Sequence, residues 1–313
     1  MKRIFLLATL ALTASVALSS CCSCRAPKPK ADHLIFIALD GWATQSFKDN
    51  IDNMPTVKAL MEEGCYTLHK RSTMPSSSAT NWATLFMGVP PEMHGYNAWN
   101  SREPVIDPYA VGKNGMPATV YTLLSEQRPE AVSACIFNWD GVGYVVDSAA
   151  IGYCHYDPGY HDKRDSTYCV AAYTERNALK YLAENKPAFF TFYIGDVDEV
   201  GHRCGWESEE YQQCLAESDA AVAAIIAVLK ERGMYDRSII VVSSDHGGVE
   251  RKHGGFTLGE METPFVICGK NIARRGEISE FMMQYDVAAT FAVALGLEIP
   301  CEWRGRALPV FKK

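Results

Sequence analysis

The chain has 313 residues, 48% of them apolar and 21% charged, a balance that excludes a disordered, collagenous or multi-span membrane protein. The first thirty residues carry five basic side chains and no acidic one, which leaves 25 basic against 37 acidic residues in the remainder, a formal charge of −12. A body of that sign repels polyanions and has no basic stripe to track nucleic acid, so no nucleic-acid polymer is expected as a partner.

Lys2 and Arg3 precede an apolar run from Ile4 to Leu18, short for a bilayer span and followed by Ser19 and Ser20. That is an export-signal pattern over residues 1–20. The stretch Leu18-Ser19-Ser20-Cys21 resembles a bacterial lipoprotein cleavage box, which implies a lipidated Cys21 and attachment to a bacterial membrane on its periplasmic or cell-surface side. Residues 21–31 are polar and proline-rich and read as an extended tether, so a folded domain is expected over 32–313. Cys21, Cys22 and Cys24 crowd together, whereas the other eight cysteines are scattered without a CxxC repeat, which argues against a cysteine zinc site. An oxidising compartment allows some of those eight to be bridged, and buried thiols are the simpler alternative.

Three apolar runs read as strands buried on both faces: His33 to Leu39, Ala188 to Ile194 and Ser238 to Val242. Helical periodicity lies between and after them, at Met54 to Glu63, at Glu207 to Arg232 with Gly233 as its stop, and at Asp286 to Leu295 with Asp286 as cap and Gly296 as stop. Alternation of this kind predicts a doubly wound α/β domain whose site lies beyond the carboxyl ends of the strands.

Asp40, Asp198 and the Asp245-His246 pair each fall just after a predicted strand and converge on one rim of such a sheet. His202 follows Asp198 by four positions, so one helical turn points both side chains the same way. His253, in a glycine-flanked setting, can return to that rim. Each residue alone is ordinary, since carboxylates after strands often cap helices. Together, six nitrogen and oxygen donors suffice for two divalent ions, and the imidazole–carboxylate mixture suits zinc or a neighbouring transition metal better than calcium. The run Met74-Pro75-Ser76-Ser77-Ser78-Ala79-Thr80-Asn81 enters a short helix, where a serine hydroxyl at the helix N-terminus can serve as nucleophile beside a metal or merely as a cap.

Asp40-Gly41, the loop through Ser78, the stretch Met87 to Gly95, Asp198 to His202, Ser244-Asp245-His246-Gly247 and His253-Gly254-Gly255 occur in the order seen in type I phosphodiesterase/nucleotide pyrophosphatase proteins, of the alkaline phosphatase superfamily. The resemblance runs from about His33 to Trp303-Arg304-Gly305-Arg306. It implies an alkaline-phosphatase-like three-layer sandwich with a mostly parallel central sheet flanked by helices. Because ligands from Asp40 to His253 must meet, residues 32–313 are expected to form a single metal-dependent phosphoesterase domain.

Carried over residue by residue, the resemblance implies one metal held by Asp198, His202 and His253 and a second held by Asp40, Asp245 and His246, both expected to be zinc. Ser78 would be the nucleophile and a ligand of the second metal, with Ser77 and Thr80 as alternatives; serine replaces the threonine usual in the family. Asn100, or Asn97, would stabilise a phosphate oxygen together with the backbone N–H of Ala79. The implied reaction is hydrolysis of phosphodiester or nucleotide pyrophosphate bonds in a small substrate such as a nucleotide, through a covalent seryl intermediate. A phosphomonoesterase is the enzyme alternative, for which Arg102, Arg251 or Lys252 could neutralise the extra charge. An inactive metal- or anion-binding lipoprotein is the non-enzyme alternative. No sulfatase-type C/S-x-P-x-R pattern occurs between Ser72 and Asn81 or around any cysteine, and the chain is too short for the inserted domain of a cofactor-independent phosphoglycerate mutase. Aromatics between Ser101 and Val170, among them Tyr109, Trp139, Tyr144, Tyr153, Tyr156, Tyr160 and Tyr168, are the expected source of pocket walls, while His155 and His161 read as structural or solvated.

Overall fold

The computed structural model describes residues 27–158 and 171–313. Residues 1–20, read as an export signal in the sequence, Cys21, Cys22 and Cys24, and Tyr160, His161, Tyr168 and Cys169 lie outside the described residues. Eight strands build one sheet: β1 (His33–Leu39), β2 (Cys65–Arg71), β3 (Ser133–Phe137), β4 (Tyr153–Tyr156), β5 (Phe189–Ile194), β6 (Ser238–Ser243), β7 (Glu262–Gly269) and β8 (Gly276–Glu277). Their spatial order is β4-β3-β5-β1-β6-β7-β2-β8. The five from β4 to β6 run parallel, and β7 is antiparallel to both of its neighbours.

The two-residue period of β1 explains the layering. Leu34, Phe36 and Ala38 enter a core beneath helices α3 (Ser78–Met87), α5 (Val120–Gln127) and α10 (Asp286–Leu295). Ile35, Ile37 and Leu39 enter a second core under α2 (Pro55–Glu63), α6 (Ala171–Glu184) and α8 (Glu209–Glu231). A strand with helices on both sides must be apolar at every position, which is why the sequence shows runs and not alternation. The remaining helices are α1 (Thr44–Asp49), α4 (Pro91–His94), α7 (Asp196–Cys204) and α9 (Leu258–Met261). This is the three-layer, mostly parallel α/β sandwich expected.

Some local details differ from the sequence reading. Asp286 opens α10 instead of capping it: Tyr285 occupies the cap position, and the Asp286 carboxylate accepts from the Met283 N–H at 2.8 Å and the Arg306 N–H at 2.9 Å, fastening the C-terminal tail to the helix start. Gly296 does stop the helix, at φ 67°. The chain is already tied to the body before Asp32, since the Lys30 N–H donates to the Ala294 carbonyl at 2.8 Å. No disulfide forms among the described cysteines; Cys135 and Cys154 are register partners on β3 and β4 and remain thiols.

Phe36 is fully buried and meets Phe291 edge-on, with ring centroids 5.1 Å apart. Phe36→Ala should therefore cost about 3–5 kcal/mol of stability, read as a lowered midpoint in denaturant unfolding.

Candidate active site

β5, β1 and β6 are adjacent and parallel, with Leu39 opposite Ile194 and Ala38 opposite Ser243. Their carboxyl ends therefore share one rim. Asp40 leaves β1, α7 starts two residues after β5 and carries Asp198 and His202 one turn apart, and Ser244-Asp245-His246 leave β6. His253 comes from the loop between β6 and β7, held by Ser76: the Ser76 hydroxyl donates to the Gly255 carbonyl at 2.6 Å and accepts from the Gly254 N–H at 3.1 Å. Gly41, at φ 68°, permits the convergence, because a Cβ there would lie 2.9 Å from the backbone and carboxylate of Asp198.

Each of the three aspartates has a buried oxygen without a hydrogen-bond partner. In Asp40, Oδ2 accepts from Trp82 Nε1–H at 2.9 Å and from the Tyr193 hydroxyl, while Oδ1 is bare. In Asp245, Oδ1 accepts from the Gly41 N–H at 3.1 Å and Oδ2 is bare; Asp198 Oδ1 is bare as well. The histidines are arranged to complement them. His202, His246 and His253 place Nδ1 at 3.0, 2.8 and 3.0 Å from the carbonyls of Arg251, Gly247 and Ser76. A carbonyl can only accept, so Nδ1 carries the hydrogen and Nε2 presents a lone pair.

His246 Nε2 lies 3.4 Å from Asp40 Oδ1, 3.2 Å from Asp245 Oδ2 and 4.0 Å from Asp198 Oδ1. Asp198 Oδ1 is 3.7 Å from His253 Nε2, and Asp198 Oδ2 is 3.5 Å from His202 Nε2. Burial holds the His246 and His253 imidazoles down to about 3, so both are neutral at physiological pH. Burial, with repulsion from Asp40, pushes the Asp198 and Asp245 carboxyls well above their ordinary range; burial likewise raises Asp40. Bare carboxylate oxygens facing imidazole lone pairs are costly in a buried space, and a divalent cation relieves both at once. The donor set thus fits metal. Asp198, His202 and His253 form one compact group, and Asp40, Asp198 and His246 another, with Asp245 joining through His246. Asp198 consequently reaches both groups, whereas the resemblance assigned it to one.

Ser78 is the first residue of α3, and its hydroxyl lies 3.1 Å from His246 Nε2. Its two neighbours are otherwise engaged: Ser76 holds the His253 loop, and Ser77, the cap residue, donates to Thr80 Oγ1 at 3.2 Å. Asn81 braces the loop, accepting from the Thr73 N–H at 2.7 Å and donating to the carbonyls of Thr73, Pro75 and Ser77.

The expected oxyanion cradle is not formed. The Ala79 N–H donates to the Trp99 carbonyl at 3.0 Å and is unavailable to a ligand. Asn97 and Asn100 are exposed and lie outside the cavity lining, because the turn closed by the Ala98 N–H on Ser101 Oγ at 3.0 Å brings Ala98 and Trp99 to the cavity instead. The cavity measures about 650 Å³ and is walled by Asp40, Ser78, Trp99, Trp139, Tyr193 and Glu199 among others. Of the aromatics expected as walls, Trp139 is one; Tyr109, Tyr144, Tyr153 and Tyr156 are not.

Several residues that serve the site escaped the sequence reading. Trp82 and Tyr193 look like core aromatics in apolar runs. Lys70 is fully buried on β2, where its ammonium donates to the Ser244 carbonyl at 2.7 Å and to Gln284 Oε1. Gln284 in turn donates to the carbonyls of Asn81 and Ser244 at 3.3 and 3.2 Å, so one buried network joins α3 to the Ser244-Asp245-His246 turn. Lys70 sits in the polar run His69-Lys70-Arg71 at the end of β2, between an exposed and a half-buried residue, and nothing in that run marks its burial.

A sequence model of the family described as type I phosphodiesterase / nucleotide pyrophosphatase matches residues 34–262. The human GPI ethanolamine phosphate transferase 2 catalytic subunit is 36% identical over 156 residues, covering 46% of this chain and 16% of that protein. Venom phosphodiesterase CdcPDE of Crotalus durissus collilineatus is 23% identical over 223 residues, covering 68% of this chain and 26% of that protein. The chain thus spans 16% and 26% of the lengths of these two relatives. Murine ectonucleotide pyrophosphatase/phosphodiesterase 5, solved as an inactive variant in complex with AMP, superimposes with a TM-score of 0.66 at 14% identity, covering 90% of this chain and 97% of that one. At that identity the likeness is one of fold.

Raised carboxyl pKa values mean that the metal-free protein retains protons which a cation displaces. Apparent affinity for zinc or manganese should therefore rise with pH and be accompanied by net proton release, measured calorimetrically in two buffers of different ionisation enthalpy; a pH-independent affinity would contradict the ligand assignment. Lys70→Met should weaken metal binding by about 10–100-fold, by loosening the turn that carries Asp245 and His246, with the same titration as readout.

Proposed function

Because the chain belongs to the type I phosphodiesterase/nucleotide pyrophosphatase family, we propose that it hydrolyses phosphodiester or nucleotide pyrophosphate bonds through Ser78. Two divalent ions, zinc by the donor chemistry, would be held by Asp198, His202 and His253 and by Asp40, Asp245 and His246. Bound there, they would neutralise phosphate charge and lower the pKa of the serine hydroxyl. The chain's own contribution is placement. Ser78 stands at the positive end of α3 and at the cavity wall, where its oxygen can attack phosphorus in line. Attack forms the Ser78 Oγ–phosphorus bond and breaks the bond to the leaving oxygen; water then cleaves the seryl ester and restores the hydroxyl. Tyr193 and Trp82 fix the Asp40 carboxylate during this cycle.

The preference for a diester over a monoester is carried by one observation: no lysine or arginine lines the cavity among the described residues. A monoester dianion asks for a further cation. Arg102 is paired with Asp140 at 2.9 Å and lies over the Tyr144 ring at 5.1 Å, while Arg251 and Lys252 line a separate cleft with Glu207 and Glu250. Export and anchoring through a lipidated Cys21 complete the reading, supported by the Lys2-Arg3 apolar leader and the Leu18 to Cys21 box.

The metal-loaded protein should turn over bis(p-nitrophenyl) phosphate with kcat/KM at least about tenfold above p-nitrophenyl phosphate, and Ser78→Ala should lower that turnover by about a thousandfold or more while metal content persists. A monoester preference would favour the alkaline-phosphatase alternative, and near-normal turnover by the serine variant would remove Ser78 from the mechanism.

A further inference from the structure

The amino edge of the sheet, opposite the catalytic rim, gathers three segments that are far apart in the chain. Residues 27–32 enter there: the Lys30 N–H donates to the Ala294 carbonyl at 2.8 Å and the Asp32 N–H to the Arg237 carbonyl at 3.0 Å, just ahead of β1 and β6. Asn271, which follows β7, ties in the other two. Its side-chain amide donates to the Lys30 carbonyl at 2.6 Å and its own carbonyl accepts from the Lys312 N–H at 2.7 Å, while the Lys30 ammonium lies over the Phe311 ring at 5.9 Å.

Residues 27–32, 269–280 and 307–313 together hold seven basic side chains and three acidic ones, in a chain that is otherwise strongly acidic after residue 30. Two of the acids are answered already, Asp32 by Arg237 and Glu280 by Arg275. That leaves Glu277 against six cations, of which all but Lys30 are exposed. Each segment supplies two of the six, so no basic stripe shows in the sequence and the patch exists only in the fold.

A patch of this sign attracts an anionic surface, and the chain that leaves it leads to one. Cys21 precedes Pro27 by six residues, a span of at most about 20 Å. An anchor at Cys21 therefore holds this edge toward the bilayer, and β1 carries the backbone about 20 Å further from it before Asp40. An acyl chain and a basic surface together hold a protein more firmly than either alone.

We propose that the edge formed by Lys28, Lys30, Lys270, Arg274, Lys312 and Lys313 rests on the anionic headgroups of the membrane that holds Cys21, so that the catalytic cavity opens away from the bilayer and receives its substrate from the aqueous side; this rests on the anchoring reading above.

Full-length protein is mixed with vesicles of phosphatidylcholine alone or with one-third phosphatidylglycerol, and each lysine's acylation by a water-soluble amine reagent is mapped by mass spectrometry. On the anionic vesicles Lys270, Lys312 and Lys313 should react at least about threefold more slowly than on the neutral ones, while Lys252, exposed beside His253 at the catalytic pole, reacts equally on both. Sodium chloride at about 0.5 M, or Lys270→Glu combined with Arg274→Glu, should remove the protection of Lys312 and Lys313. Equal reactivity of the edge lysines on the two vesicles, or protection of Lys252 in their place, overturns the docking edge. Sedimentation of the same samples separates edge from anchor. Protein that binds both vesicles without protection keeps the anchor and overturns the edge. Protein that binds only the anionic vesicles, with the edge lysines protected, supports the edge and overturns the anchor, and protein that binds neither overturns both.

Discussion

Three carboxylates and three imidazoles are linked at the carboxyl rim of the sheet, each within about 4 Å of at least one other member of the cluster, and the carboxylates crowd against their mutual repulsion. Fixed donors to Asp40 and Asp245 make the arrangement possible: Trp82, Tyr193 and the Gly41 backbone each hold one oxygen in place. On the imidazoles, backbone carbonyls do the same to Nδ1. The atoms left bare are therefore the ones that point inward. The cost of crowding them is met by the rigidity of the surrounding sandwich, and a bound cation converts that cost into affinity.

The sheet supplies this rigidity through its central strands. β5, β1 and β6 have helices on both faces, so their ends cannot drift independently, and each delivers its aspartate from a fixed height. The loops that complete the site are fastened to one another across long sequence distances. Ser76 bonds the glycines beside His253, Lys70 and Gln284 bond the residue before Asp245, and the Ala79 N–H bonds the Trp99 carbonyl. The last of these contacts trades an anion donor for a positioned aromatic wall. Among the described residues the cavity wall presents flat aromatic surface where lysine or arginine could have stood.

Much of this was legible in the sequence because it depends on local pattern. Apolar runs of strand length ended at Asp40, near Asp198 and at Asp245, and a parallel sheet places such ends on one rim. The four-residue spacing of Asp198 and His202 holds on any helix, and α7 realises it. Glycine at 296 stopped α10 as expected because a left-handed residue ends a helix wherever it falls. Motif order then indicated a family, and the match over residues 34–262 agrees with it.

The direction of side chains on irregular segments was not legible. Asn97 and Asn100 are residues of the right type at almost the right spacing, but the turn closed by Ser101 exposes them both and admits Trp99. Arg102 carries the charge a monoesterase would need, and its partner Asp140, 38 residues away, keeps it elsewhere. Lys70 serves the site from a strand whose partner Ser244 is 174 residues distant. The sequence alone determined the layers, the rim and the donor types, since these follow from periodicity and chemistry. Only the tertiary structure decided which donors stay bare, which hydroxyl faces them and which walls enclose the cavity, because each of those is set by contacts between segments far apart in the chain.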